Sequence, residues 1–454
     1  MPYDFAARGL TLQNRRTARR LATIDALARG IAENLPKGLP KLAASPPTMS
    51  LATASTISGG KNYGISASTP ANDFRHCYAL YGGQWRPRGT AYPQNIQLGC
   101  WSYHTGNGSE PSTGDTEAQS GVVRFTTWAD KFEIWHGELN GWRMKVNGEY
   151  VQTGLIGNYS IDGVTANAGR YQLFDFGAAG FKRVELEWDE GPIYFRGIVV
   201  PPTYSVEPWP RSDSLKMSLF GDSLVNTIVD TADKKLAPMG QMGQTIRALI
   251  GQPNLWVQGV GATGFIATNG GTRSNFVERA NVDFLTYGPF DVVIEIGGRN
   301  DSAADLTGAN AFQQAVEDWI DIVLASNPDT IICMVGPGSS SGTEAYNTNY
   351  NAMATKQDRK KAAAAKYPRN CLFIETIGNA ANPDPWIYGS GKVGTPGATT
   401  GNADRLGGDY VHRSIAGHAE IGTRIVQEIG RRLPAFASRI RDGVIAGVND
   451  ADLV

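Results

Sequence analysis

The sequence predicts two unlike domains, an all-β domain followed by an α/β domain with a parallel sheet. Residues 74–210 contain short apolar or aromatic runs separated by Gly, Asn and Asp, which is typical of antiparallel β structure. Beyond residue 210, continuous apolar runs alternate with segments of helix length, which indicates a parallel sheet covered by helices on both faces. With 454 residues, the chain is also longer than the ~250–300 residues that one hydrophobic core usually serves.

The first 40 residues are predicted to form a unit of their own. Apolar residues recur at three- and four-residue steps between residues 11 and 35, which predicts an amphipathic helix. Four arginines crowd its first turns, where positive charge opposes the helix dipole. We therefore expect a helix that packs on protein or self-associates, and that serves attachment or homo-oligomerisation. Residues 41–73 are rich in Pro, Ser, Thr, Ala and Gly and predict a linker.

Residues 74–210 predict a β-sandwich of the jelly-roll type. In Arg183–Trp188, apolar and charged side chains alternate, as in a strand with one buried face. Seven of the ten tryptophans lie in this domain, where an indole ring can either stack on a sugar or fill the core, and both interpretations stay open. Cys77 and Cys100 could form a disulfide.

Residues 211–454 predict the α/β domain through alternating strands and helices. The candidate strands are Lys216–Phe220, Leu255–Gly259, Phe290–Gly297, Thr330–Gly336 and Cys371–Thr376, and the candidate helices are 238–250, 275–285, 309–325, 345–366 and 415–431. The segment 377–411, rich in Gly, Pro, Asn and Thr, exceeds the usual length of a connection. Such loops typically line or cover a functional site.

Composition excludes several classes of function. The 42 basic and 43 acidic residues leave a formal charge of −1, so there is no net positive charge to attract nucleic acid or an anionic membrane. No apolar run approaches the ~18–20 residues of a membrane span. The first eight residues lack the apolar core of a signal peptide, so we expect a chain that is cytoplasmic as synthesised, and that is associated with a virion or released by lysis. No His and Cys cluster has ligand spacing, so no metal or cofactor is expected.

Ser223 is the residue on which the functional prediction is built. A buried strand runs into Gly-Asp-Ser, which places the serine at the carboxyl edge of the sheet, where open α/β folds bind ligands. A nucleophilic serine needs an imidazole to take its proton and a carboxylate to orient that imidazole. Three of the five histidines lie in the β-rich part, which leaves His412 and His418. His418 falls on the apolar stripe of the last helix and is assigned to packing, whereas His412 follows Asp409 by three residues on a loop.

Two more loops are predicted at the same edge of the sheet. Gly259–Gly264 has the spacing Gly-x-Gly-x-x-Gly, but the acidic residue about 20 positions later, Asp283, does not end a strand, so we reject a nucleotide site. The segment Gly297–Asp301 presents the amide of Asn300. Backbone N–H groups and an Asn amide are the donors that stabilise the oxyanion of acyl transfer.

Four segments together resemble the four sequence blocks of the SGNH or GDSL hydrolases, in the same order, within residues 214–435. They are Gly221–Leu224, Gly259–Gly264, Gly298–Asp301 and Asp409–His412. The resemblance implies a flavodoxin-like three-layer α/β/α domain. It also implies that Ser223 is the nucleophile, that His412 is the general base and then acid, and that Asp409 orients His412.

The same resemblance implies an oxyanion hole formed by the backbone N–H of Ser223, the N–H of a loop glycine and the side chain of Asn300. Gly261 fits the glycine position best, and Gly264 is the alternative. Arg413 stands where many members of the family have proline.

A β-sandwich in front of such a domain resembles the arrangement in carbohydrate esterases of this class. The implied function is removal of acetyl groups from a polysaccharide, with an acylated carbohydrate as partner. Two alternatives remain. One is hydrolysis of small acyl esters or thioesters, and the other is a glycan-binding structural protein, such as a phage tail component, in which catalysis is absent or secondary.

Overall fold

The computed structural model describes residues 5–65, 73–88, 92–99, 121–139, 142–152, 169–188, 193–210, 214–226, 242–271, 273–302, 306, 310–337, 348–376, 412 and 414–445. In these ranges the chain forms two antiparallel sheets and one parallel sheet, with helices around the parallel one. None of the helices in the described ranges is both long and apolar enough to cross a membrane.

Helix α1 (Phe5–Asn34) packs on the parallel-sheet domain. The side chains of Ile24, Leu27 and Ile31 are buried in the same core as that sheet, which confirms the predicted helix. The Arg20 guanidinium donates a hydrogen bond to Pro328 O at 2.8 Å. Nearer the start of the helix, the side chain of Leu12 is 54% exposed. The role in attachment or oligomerisation stays a prediction.

Two antiparallel sheets make up the β domain, which confirms the predicted class of this part of the chain. The strands are β1 (Thr48–Ala52), β2 (Lys61–Gly64), β3 (Ala79–Tyr81), β4 (Gln84–Arg88), β5 (Tyr92–Gly99), β6 (Gly121–Thr127), β7 (Lys131–Leu139), β8 (Trp142–Val146), β9 (Glu149–Tyr150), β10 (Arg170–Asp175), β11 (Lys182–Trp188), β12 (Ile193–Val200) and β13 (Glu207–Pro208). One sheet has the order β1-β10-β7-β12-β5-β4, with β2 also paired to β12. The other has the order β13-β6-β11-β8-β9, with β3 also paired to β6. Side chains from both sheets share one core.

The apolar face of strand β11 is buried as predicted, whereas its charged face is less exposed to solvent than predicted. Val184 and Leu186 are buried in the core of the β domain. On the opposite face Glu185 forms ion pairs with Arg124 (2.9 Å) and Lys145. Burial raises the pKa of the Glu185 carboxyl group, but the two cations lower it by more, and the resulting pKa is about 2. This face is not in open solvent because it lines a cleft of about 540 Å³ whose other wall belongs to the α/β domain.

The segment 41–73, for which composition predicts a linker, contributes strands to the larger sheet. Strand β1 pairs with β10, and β2 pairs with β12. Four of the five residues of β1 are exposed, so the strand is held by backbone pairing and has no apolar run that a sequence pattern would reveal. In the same domain Cys77 is a buried, free thiol, and Cys100 lies outside the described residues.

The α/β domain has the predicted three layers. Its parallel strands are β14 (Met217–Gly221), β15 (Leu255–Gly259), β16 (Val292–Ile296), β17 (Ile331–Val335) and β18 (Cys371–Ile374). Its helices are α2 (Ser223–Asn226), α3 (Met242–Ile250), α4 (Phe276–Asp283), α5 (Ala311–Ser326), α6 (Thr348–Ala365) and α7 (Ile415–Ile445). The strand order β15-β14-β16-β17-β18 is that of a flavodoxin-like sheet, as expected. Helices α1, α3 and α7 cover one face, and α4, α5 and α6 cover the other.

Strand positions in this domain agree with the sequence prediction to within two residues at each end, because continuous apolar runs mark buried parallel strands well. Helix α7 is the main difference, since it continues to Ile445 and the pattern predicts an end near residue 431. Pro434 lies inside it on the exposed side, while Leu433, Phe436 and Ile440 are buried in the core. Tertiary packing thus outweighs the helix-breaking tendency of proline.

Candidate active site

Ser223 follows the carboxyl end of β14, at the position where the strand order of the sheet reverses. Gly221 is required there for close packing, because a Cβ atom would collide with the carbonyl of Ile296 on the neighbouring strand. Asp222 is buried, and its Oδ1 accepts the N–H of Leu224 at 2.8 Å. The buried Asp222 side chain thus stabilises the turn, and Ser223 within this turn is half-buried.

His412 contacts Ser223 directly. Its Nε2 lies 2.8 Å from the Ser223 hydroxyl oxygen, within hydrogen-bond range, and both side chains are half-buried. His418, the other histidine of this domain, is buried inside α7, and its backbone N–H donates to Ser414 O. Asp409 lies outside the described residues. The structure therefore brings together the predicted nucleophile and the predicted base.

The glycine-rich loop after β15 turns sharply beside the serine. Ala262 has a left-handed backbone with φ 59°, a conformation that is unusual for a residue with a Cβ atom. The N–H of Gly264 donates to Ala267 O at 3.1 Å, so this donor is used inside its own loop. Which glycine supplies the oxyanion donor, Gly261 or Gly264, stays a prediction.

Asn300 lies in the loop after β16, close to the same glycine-rich loop. Its Nδ2 donates to Thr263 O at 2.9 Å, and the side chain is exposed. An amide nitrogen has two hydrogens, so this bond leaves one for a second acceptor. The next residue, Asp301, contacts the same loop, where its buried carboxylate accepts the N–H groups of Phe265, Ile266 and Ala267.

A layer of buried charges lies beneath these loops. The Lys360 ammonium on α6 forms an ion pair with Glu295 at 2.7 Å and donates to the carbonyls of Gly297 and Val335. Burial raises the pKa of Glu295 to about 7, against the opposing influence of Lys360. Burial also lowers the pKa of Lys360. This pair joins the carboxyl ends of β16 and β17 from below.

Arg279 on α4 joins the other two strand ends. Its fully buried guanidinium donates to Gly221 O at 2.9 Å, to Gln258 O at 2.7 Å and to the Thr263 hydroxyl at 3.4 Å. One side chain therefore fixes the strand end that precedes Ser223 together with residues before and inside the glycine-rich loop. No cluster of three His, Cys, Asp or Glu side chains in the described residues is placed to hold a metal ion.

Sequence reasoning missed Arg279, Glu295 and Lys360. A signal was present for Arg279, because it lies one helical turn before Asp283 on the buried side of its helix, where a charge must be paired. Glu295 was equally visible as a carboxylate inside an apolar strand. Neither pattern identifies the partners that lie on other elements, such as Gly221 for Arg279 and Lys360 for Glu295.

Comparison with solved structures finds similar folds over most of this chain. A salicylyl-acyltransferase from a tetracycline biosynthetic pathway is 14% identical with a TM-score of 0.53, and the match covers 87% of this chain and 99% of that one. A family two carbohydrate esterase from Clostridium thermocellum is 16% identical with a TM-score of 0.53, with 78% and 99% covered. The family two carbohydrate esterase from Cellvibrio japonicus is 13% identical with a TM-score of 0.51, with 84% and 99% covered.

The chain has the SGNH/GDSL hydrolase fold. The matched share of the chain is larger than the α/β domain alone, so the likeness includes part of the β domain. No family model and no curated protein sequence matches the chain. The SGNH fold is therefore recognised here through structure and through four short sequence blocks, at low overall identity.

Proposed function

We propose that this protein is a serine-dependent carboxylic ester hydrolase whose preferred substrate is an acetylated carbohydrate. The observation that carries the proposal is the 2.8 Å contact between Ser223 Oγ and His412 Nε2 at the carboxyl edge of the parallel sheet. A neutral imidazole in that position can accept the hydroxyl proton as the oxygen attacks an ester carbonyl.

The proposed reaction has two steps. Ser223 Oγ bonds to the carbonyl carbon while its proton passes to His412 Nε2, and the same proton then goes to the departing alcohol. Water next attacks the acyl-enzyme and gives one proton to His412. As the bond between Ser223 Oγ and the acyl carbon breaks, His412 returns that proton to Ser223 Oγ, and the carboxylic acid is released. Asp409 would orient His412, and the N–H groups of Ser223 and Gly261 together with the Asn300 amide would stabilise the oxyanion.

Support for a carbohydrate substrate comes from two sides. Two of the similar structures are carbohydrate esterases, and one of them was solved with cellohexaose bound. The match to that structure covers 78% of the present chain, which is more than the SGNH domain alone. Acetyl is the acyl group we propose. The association with a virion stays a prediction.

Acyl transfer is a second candidate. A further similar structure is named a salicylyl-acyltransferase, and an acyl-enzyme can pass its acyl group to an alcohol as readily as to water when the alcohol is bound in place. Adding an alcohol acceptor during turnover separates the two: a hydrolase yields free acid at an unchanged rate, whereas a transferase yields the new ester.

The test of the enzyme assignment is labelling with a serine-directed fluorophosphonate, followed by mass spectrometry of the peptides. We expect the label on Ser223 in the wild-type protein and none in the folded Ser223→Ala variant. A folded wild-type protein that takes no label would contradict the assignment and would favour a structural, glycan-binding protein.

Substrate class is tested by the released acid. We expect acetate from acetylated polysaccharides at a higher catalytic efficiency than fatty acid from long-chain esters. The reverse order would replace the carbohydrate proposal with a lipid or small-ester substrate while leaving the serine mechanism intact.

A further inference from the structure

Asp301 connects the two loops that carry the proposed oxyanion donors. It belongs to the loop after β16, yet its Oδ1 accepts the N–H groups of Ile266 (2.7 Å) and Ala267 (2.9 Å), and its Oδ2 accepts that of Phe265 (3.1 Å). All three donors lie in the loop after β15. The carboxylate is buried, so these bonds replace water as its partners.

The contact leaves no room for a side chain at Gly264. A Cβ atom there would lie 2.7 Å from Oδ1 of Asp301, well inside the normal contact distance. The absence of a side chain at Gly264 therefore allows the Asp301 carboxylate to approach the loop backbone closely. Its own N–H is used by Ala267 O, as described above.

Lys356 holds the Asp301 loop from the other side. Its buried ammonium, on α6, donates to the carbonyls of Arg299 (2.9 Å) and Asp301 (2.6 Å), which flank Asn300 in the chain. A single cation therefore fixes the carbonyl groups of the two residues that flank the one whose amide is proposed to meet the oxyanion. Helix α6 also packs on α5 and on β18, so the ammonium is carried by a packed element.

A closed set of contacts results. Lys356 fixes the backbone around Asn300, Asp301 fixes the backbone after Gly264, and the Asn300 amide donates to Thr263 O at 2.9 Å. Each loop is thereby held relative to the other at two points, one on each side of Gly264.

We propose that Asp301 and Lys356 are positioning residues that set the separation and orientation of the oxyanion donors on the β15 and β16 loops. The inference deepens the proposed ester hydrolysis and rests on it. The physical reason is that oxyanion donors act only when they are preorganised, and a displacement of about 1 Å can cost on the order of 100-fold in rate.

The decisive variant is Asp301→Asn, which keeps the size of the side chain. An amide group places an NH₂ where one carboxylate oxygen accepts an N–H, so at least one of the three bonds is lost. We expect kcat for p-nitrophenyl acetate to fall by about 10- to 100-fold with a small change in KM, because the loss affects the transition state more than the bound ester.

A double-mutant cycle with Asn300→Ala separates positioning from a general structural role. If Asp301 acts by placing Asn300 and its neighbouring donors, Asp301→Asn will lower kcat far less in the Asn300→Ala background than in the wild type. A side chain that only stabilises the fold would give the same factor in both backgrounds.

Lys356→Met tests the second residue, and Lys361→Met is its matched control on the same helix. Lys356→Met removes both hydrogen bonds from the ammonium to the Asn300 loop and keeps the aliphatic part of the side chain. We expect kcat to fall by roughly tenfold. Lys361 is exposed and pairs with Glu375, so its variant is expected to leave kcat unchanged. Thermal unfolding of every variant gives the folded fraction at the assay temperature.

The outcomes are distinct. Strong coupling between Asp301→Asn and Asn300→Ala supports the proposal. An unchanged kcat per folded molecule, or equal factors in the two backgrounds, overturns it while the esterase assignment stands. Wild-type protein that neither turns over the ester nor takes a fluorophosphonate overturns both the proposed function and this inference.

Discussion

The imidazole Nε2 of His412 lies 2.8 Å from the hydroxyl oxygen of Ser223, although the two residues are 189 positions apart in the chain. Helix α7 begins three residues after the histidine and packs on α3. The approach is close, since a Cβ atom on Gly422 of α7 would press against Thr245 of α3. Docking of this helix therefore determines where the base lies relative to the serine.

Replacing either member of this pair should abolish most activity. We expect Ser223→Ala and His412→Ala each to remove nearly all hydrolysis of p-nitrophenyl acetate, and the double variant to lose no more, because the two groups act as one unit. Asp409→Ala should leave more activity than either. Initial rates measure this, with His76→Ala, an exposed histidine of the β domain, as the unaffected control. Independent, multiplicative losses would contradict the shared role.

Asn300→Ala should lower kcat by on the order of 100-fold or more if the free hydrogen of its amide faces the oxyanion. KM should change little, because the donor acts mainly in the transition state. Asn327→Ala is the matched control, since Asn327 Nδ2 donates to Phe290 O at 3.0 Å near the opposite, amino edge of the sheet. It is expected to lower the unfolding temperature and to leave kcat intact, whereas an equal loss of kcat in both variants would argue against an oxyanion role.

Glu295 should make stability depend on pH in the neutral range. Burial raises its pKa from the ordinary 4.5 to about 7, with Lys360 opposing and with Asp222 and Asp301 adding to the rise. The folded state therefore binds more protons than the unfolded state between these values. The contribution of Glu295 to the free energy of unfolding is fully present below about pH 4.5 and is lost as pH rises through about 7, which lowers the stability by roughly 3 kcal/mol.

The measurement is the free energy of unfolding of wild type and Glu295→Gln between pH 5 and 8. We expect the wild type to lose more stability than the variant as pH rises over this interval. Only the difference between the two slopes is compared, because the variant also removes the ion pair with Lys360 wherever Glu295 is ionised. Parallel curves would show that Glu295 is ionised throughout.

Leu27→Ala in helix α1 should destabilise the α/β domain by about 2–5 kcal/mol, since Leu27 is fully buried in the core shared with the parallel sheet. Leu12→Ala on the same helix is the matched control. Because Leu12 is exposed, its loss should change the unfolding free energy by less than about 0.5 kcal/mol.

Light scattering on these variants also tests the predicted oligomer. A wild-type oligomer that Leu12→Ala dissociates would support self-association through α1. A monomer at every concentration would remove that prediction while leaving the packing of Leu27 unaffected.

Much of the fold was visible in the sequence because its strongest signals are local. The apolar runs of β14 and β17 predicted buried parallel strands, and the alternation in β11 predicted its inner face. Strand β1 was not visible, since it is mostly exposed and depends on pairing with β10. The end of α7 was misplaced because burial of Phe436 and Ile440 overrides Pro434.

The sequence by itself determined the class of each domain and the candidate side chains Ser223, His412 and Asn300, because strand patterns and short turn motifs are properties of neighbouring residues. Only the tertiary structure decided which groups meet. The contact between Ser223 and His412, the use of the Gly264 N–H within its own loop, and the role of Asp301 all depend on distances between elements remote in the chain. Such distances are set by packing of helices and strands, which no local pattern encodes.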